Sequence, residues 1–111
     1  MHTVVETAYF IRQADDLLGI DERYNLLDKL ALNPGLGALI PDLGGVRKLR
    51  IPASGRGKRG GARVIYYFGG TDMPVYALMI YAKATREDLS PAGRRAIIKL
   101  VNELKLIGKG K

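Results

Sequence analysis

The sequence predicts a small α+β domain with the element order β-α-α-β-β-β-α: an antiparallel sheet, a helical hairpin and a C-terminal helix. Three observations carry this reading. Residues 7–32 repeat apolar side chains at helical spacing, residues 46–83 hold three strand-like runs, and Ser90-Pro91 opens a last helical pattern. Strands that follow one another through short turns pair antiparallel, which leaves the helices to cover one face. With 111 residues and neither a repeat nor a linker, the chain 1–111 reads as one domain.

Thr3-Val4-Val5-Glu6 is β-branched and suits a first strand. From Thr7 the period changes, with Phe10, Ile11, Ala14, Leu17 and Leu18 on one helical face, and Gly19 is expected as a left-handed stop. Asp21 is the expected N-cap of a second helix, whose stripe is Tyr24, Leu27, Leu30 and Ala31 and which ends at Asn33-Pro34-Gly35. Residues 33–45 read as loop. Val46–Ile51, Ala62–Phe68 and Val75–Lys83 then read as strands, the last two joined by a Gly69-Gly70-Thr71-Asp72 turn. Ser90 caps the final helix and Pro91 takes its first position. Ile97, Ile98, Leu100, Val101 and Leu104 are its apolar face, and Gly108 is its expected end.

Composition excludes several chemistries. The chain has no cysteine, so thiol nucleophiles, disulfides and zinc–thiolate sites are out; His2 is its one histidine, so no acid–base pair of histidines exists. No apolar run approaches the length of a membrane span, and the first residues show no secretory pattern, so the expected location is cytoplasmic. Charge is the stronger signal. Residues 1–42 hold three bases and seven acids, whereas residues 43–111 hold fifteen bases and four acids, a net +11. Seven bases and no acid lie between Arg47 and Arg63, a block that repels itself and favours a polyanion, nucleic acid or an acidic protein segment, over ordinary solvation.

Gly55-Arg56-Gly57-Lys58-Arg59-Gly60 spells a dinucleotide-binding fingerprint, but that motif needs a helix directly after it, and here a strand follows. The segment reads instead as a basic hairpin tip. Arg56, Lys58 and Arg59 supply charge there and glycine N–H groups can approach phosphate; a plain solvated loop is the alternative. Arg63 begins a strand and shares a face with Ile65 and Tyr67, while Val64, Tyr66 and Phe68 take the other. At the lip of the sheet it can fork onto a phosphate, or simply reach water as a strand-end charge whose loss leaves the fold intact. Lys83 closes the last strand on the face assigned to Val75, Ala77, Met79 and Tyr81, and meets Arg63 if residue 63 pairs near 80–82. Tyr67 and Tyr81 are the stacking candidates nearest these bases, and Arg47 belongs to the same basic block.

Taken in order, Thr3–Thr7, Gly44-Gly45-Val46-Arg47-Lys48-Leu49-Arg50, Gly60–Tyr67, Tyr81-Ala82-Lys83 and Glu87-Asp88-Leu89-Ser90 give the chain a resemblance to the RelE superfamily of bacterial toxins, closest to its HigB-type branch. The resemblance covers nearly the whole chain. It implies a small RelE-like fold and the toxin of a type II toxin–antitoxin system, a metal-independent, ribosome-dependent endoribonuclease (an mRNA interferase) that cleaves translated mRNA. A cognate antitoxin, commonly of helix-turn-helix type, is implied as partner and as the sole route to operator DNA. Carried over by position, the catalytic bases are Lys48 and Arg50, Arg63, and Lys83, with no cofactor and no metal. Some members add an aromatic after the last strand; residues 84–111 hold no Tyr, Phe or His, so Tyr81 or Tyr67 would take that part. The same superfamily includes ParE-like gyrase inhibitors, and a non-catalytic basic binding module retains the charge without the chemistry. Both stand as alternatives to the nuclease.

Overall fold

The computed structural model describes residues 1–53, 60–85 and 88–109, with no side-chain description for residues 108 and 109. Five strands and three helices lie among them: β1 (Val4–Glu6), α1 (Ala8–Leu17), α2 (Ile20–Leu32), β2 (Ala38–Leu39), β3 (Val46–Ile51), β4 (Ala62–Tyr67), β5 (Val75–Ala82) and α3 (Pro91–Lys109). The sheet order is β1-β5-β4-β3-β2. β2, β3, β4 and β5 pair antiparallel, but β1 lies parallel to β5, with Val4 opposite Val75 and Glu6 opposite Ala77. The sheet is therefore mixed, which corrects the expected all-antiparallel arrangement. No helix among the described residues is long and apolar enough to cross a membrane.

The helices cover both faces of the sheet, not one. All six residues of β4 and seven of the eight in β5 are buried, so these strands expose apolar side chains to both sides and each side must be covered. Phe10 and Ala14 of α1 join Leu26 and Leu30 of α2 over Val64, Tyr66, Val75, Ala77 and Ile80. Ile97, Val101 and Leu104 of α3, spaced four and three apart, close the opposite side over Val46, Ile65, Tyr67, Leu78, Met79 and Tyr81. Each large aliphatic chain buried this way stabilises by about 1.5–3 kcal/mol.

One extra residue in β5 decides which side chains face which core. Ile65 pairs with Met79 and Tyr66 with Ala77, which leaves Leu78 as a bulge. Leu78 and Met79 consequently both enter the α3 core, while Val75 and Ala77 enter the α1/α2 core. The expected common face for Val75, Ala77, Met79 and Tyr81 is thus broken in the middle. The bulge also anchors α1. The Thr7 hydroxyl donates to the Leu78 carbonyl (3.2 Å) and accepts from the Phe10 N–H (3.1 Å) as the N-cap. Three residues past Ala77, where the pairing with β1 stops, the Ile80 N–H donates to Gln13 Oε1 (3.0 Å), so the open edge of β5 is satisfied by a helix side chain.

Several local expectations shift. Gly19 has φ −73° and is no left-handed stop; it is the N-cap of α2, and its N–H donates to Glu22 Oε1 (2.9 Å), so Asp21 lies in the first turn instead of at the cap. The buried stripe of α2 is Leu26, Leu30 and Ala31, whereas Tyr24 is exposed. Ile11 and Ile98 likewise lie off the core. The stretch read as loop contains β2, two exposed residues paired with Lys48 and Arg47, too short to show alternation. α3 opens as expected, with the Gly93 N–H on Ser90 Oγ (3.0 Å), but continues through Gly108.

Candidate functional site: a basic row beside an open groove

Three strands deliver one row of side chains across the sheet. Arg50 of β3 is directly opposite Arg63 of β4, and Arg63 directly opposite Tyr81 of β5. Directly paired residues share a face with Cβ atoms about 5 Å apart. That face is the one α3 covers, since Ile65 and Tyr81 belong to its core, and Lys48 lies on it two residues before Arg50. Two like charges set opposite each other disfavour the pairing, and an anion placed against both relieves that cost.

The row is not a set of equal surface charges. Arg50 is exposed, but Arg63 is only 4% exposed. Its Nη1 donates to the carbonyl oxygens of Gly60 (3.1 Å) and Ala62 (3.3 Å). Arg63 therefore does not reach water as a strand-end charge; it turns back onto the backbone that leads into β4, so its removal is expected to destabilise the fold. Lys83, exposed just past β5, donates its N–H to the Gly61 carbonyl (3.1 Å), and its side-chain stem lies over Gly60. The expected pairing of residue 63 near 80–82 is observed, with Tyr81 as the partner, and Arg63 and Lys83 each touch Gly60, one at its carbonyl and the other beside its Cα. The backbone there depends on Gly61. Its φ is +74°, and a Cβ would press on the Ile51 carbonyl oxygen, so a side chain would force β3 and β4 apart.

Beside the row opens a groove of about 460 Å³, lined by Ala38, Leu39, Ile40, Pro41, Lys48, Tyr81, Asp88, Leu89 and Arg94. Lys48 Nζ and Asp88 Oδ1 stand 2.9 Å apart in it. The hydrogen bond from Lys48, reinforced by its charge, holds the Asp88 carboxyl below the usual carboxylate range. Arg94, in the first turn of α3, donates to the Pro41 carbonyl (3.2 Å) and ties that helix to the wall built by residues 38–41. That wall is set from the other side of the sheet. The Tyr66 hydroxyl donates to the Pro34 carbonyl (2.6 Å) and accepts from the Gly37 N–H (2.8 Å), fixing the chain just before β2. Burial pushes the Tyr66 phenol above its ordinary value, opposed by the Gly37 hydrogen bond and the Arg47 charge.

The ten candidate residues consequently separate. Lys48, Arg50, Arg63, Tyr81 and Lys83 come together at the row and groove. Arg47 does not: it pairs with Tyr66, and its Nη1 donates to the carbonyls of Gly37 (2.7 Å) and Gly35 (3.3 Å), so it braces the turn before β2. Tyr67 is 3% exposed in the α3 core and four residues further along β4, about 13 Å from Arg63, so the structure does not bring it to the row. Burial, with Tyr76 nearby, raises its phenol. Tyr81 is itself 4% exposed and offers the groove little more than an edge. Arg56, Lys58 and Arg59 lie outside the described residues. Asp88, although part of the Glu87–Ser90 segment quoted for the resemblance, and Arg94 are not among the site residues expected from the sequence. Neither carries a local signal for a place in the groove, since each reaches it only through the packing of α3 and the segment before it. Compared with known protein families, the chain matches no family model.

Proposed function

We propose that the chain is the toxin of a type II toxin–antitoxin system, with a RelE-like fold, and that it cleaves translated mRNA on the ribosome. The observation that carries this reading is the Arg50–Arg63–Tyr81 row, with Lys48 on the same face and Lys83 packed beside Gly60 at its end. The succession of a strand, two helices, an antiparallel meander and a final helix is consistent with the fold, and the net +11 of residues 43–111 with a polyanionic target.

The chemistry asked of these residues is transesterification within RNA. The 2′-oxygen attacks the neighbouring phosphorus and gives up its proton, and the bond to the 5′-oxygen breaks. That oxygen takes up a proton, leaving a 2′,3′-cyclic phosphate and a 5′-hydroxyl. Negative charge builds on the non-bridging oxygens, where Arg50 offers an exposed cation and the buried Arg63 adds its fixed charge from behind it, and losing one such partner costs about 10²–10³ in rate. The ribosome supplies alignment of the attacking oxygen, which a small open groove cannot impose alone. The antitoxin neutralises the chain by covering the basic face.

A second reading, a non-catalytic binding module, is favoured by the burial of Arg63 and its bonds to the Gly60 and Ala62 carbonyls. Primer extension on an mRNA translated by purified ribosomes, with and without the chain, separates the two. Ribosome-dependent cuts that vanish with Arg50→Ala or Lys83→Ala support the nuclease, and intact mRNA alongside ribosome binding supports the module.

A further inference from the structure

We infer that Asp88 is an internal competitor for the RNA phosphate: its carboxylate holds the Lys48 ammonium in the groove, and a phosphodiester of single-stranded RNA must displace it. The inference rests on the RNA reading only for the identity of the polyanion. Lys48 and Asp88 both line the groove, with Nζ and Oδ1 2.9 Å apart, and Lys48 shares its face with Arg50. A carboxylate oxygen at that place stands where a phosphate oxygen would accept from the same ammonium.

The pair is built to yield. The Asp88 side chain is 75% exposed and that of Lys48 25%, so each is rehydrated when they part, and an exposed pair of this kind holds weakly. A phosphate between Lys48 and Arg50 engages two cations where Asp88 engages one. Asp88 therefore sets a threshold: it discourages isolated anions and gives way to a strand held at several points. An acidic protein segment would meet the same lysine, but an RNA strand carries a charge at every repeat and matches a row of bases better.

The test is a double-mutant cycle on binding, read by fluorescence anisotropy. The probe is a short labelled single-stranded RNA with 2′-O-methyl riboses, which cannot be cleaved. Asp88→Asn should tighten binding about three- to fivefold at low salt. In a Lys48→Gln background the same change should alter it by less than about twofold. Equal tightening in both backgrounds would reduce Asp88 to net charge, and weaker binding by Asp88→Asn would make it a residue that positions Lys48; either result overturns the inference. Coupling seen with a polyglutamate peptide and absent with RNA would overturn the RNA assignment. Because the probe is uncleavable, a chain that shows the coupling yet never cuts mRNA sinks the nuclease and leaves the Asp88 result standing.

Discussion

Replacing Tyr66 with phenylalanine removes one oxygen from the centre of the sheet and should loosen the wall of the groove on its far side. The ring is fully buried, and phenylalanine fills the same space, so no cavity opens. The loss is two hydrogen bonds. The Pro34 carbonyl loses its donor at 2.6 Å and the Gly37 N–H loses its acceptor at 2.8 Å. A buried polar group left unsatisfied costs about 1–3 kcal/mol, so the pair should cost about 2–6 kcal/mol. Unfolding entropy scales to about 0.23 kcal/mol/K for a chain of this size, which converts the cost to a Tm lower by about 9–26 °C. Thermal melts followed by circular dichroism measure it, and urea titration should show a lower midpoint with an unchanged slope. Amide exchange at Gly37 should accelerate, since β2 and residues 38–41 are tethered through this turn. A Tm within about 2 °C of the parent would refute the reasoning, by showing that the turn is held without the phenol.

Three further outcomes follow from the same geometry. Arg63→Ala should lower stability by about 2 kcal/mol, through the lost Gly60 and Ala62 bonds, and cut cleavage by about a hundredfold or more when assayed well below its Tm; full cleavage would leave Arg63 a purely structural arginine. Lys83→Ala, at an exposed position, should leave the melt unchanged while reducing cleavage, and combined with Arg63→Ala should cost less than the product of the two. Stability should fall in alkali. The folded phenols of Tyr66 and Tyr67 are both raised above their ordinary value near 10, so the native state keeps protons that the unfolded chain releases. Their contribution is whole below about pH 10 and is lost as pH climbs through the folded values. A urea-midpoint series across pH 8–11 should show that limb, shallower in Tyr66→Phe, and a flat profile would contradict it.

Much of the fold was legible because it depends on local chemistry. Period, turn glycines and the Ser90-Pro91 cap located the three long strands and the helices, and alternation put Arg63 with Ile65 and Tyr67 and opposite Tyr66, as observed. The pairing of Arg63 with Tyr81 was within reach too, because a short turn at residues 69–72 leaves few registers open. Where local signals compete, the reading slipped by two positions: Gly19 and Asp21 both suit a helix boundary, and only the Glu22 contact selects Gly19.

By itself the sequence determined the charge, the element types and the neighbourhood of the basic residues, since these follow from composition and from one- or two-residue periods. Tertiary structure alone decided the rest. The parallel place of β1 is a pairing between segments some seventy residues apart, for which no local pattern exists. The Leu78 bulge inverts the alternation of β5 midway, and the Thr7 hydroxyl that satisfies it comes from across the domain. Burial of Arg63, diversion of Arg47 to the turn before β2, and the meeting of Lys48 with Asp88 all arise in the same way. A charge has no intrinsic preference for a carbonyl, a carboxylate or a phosphate, and what it binds is set by which groups the packed chain brings within three ångströms of it.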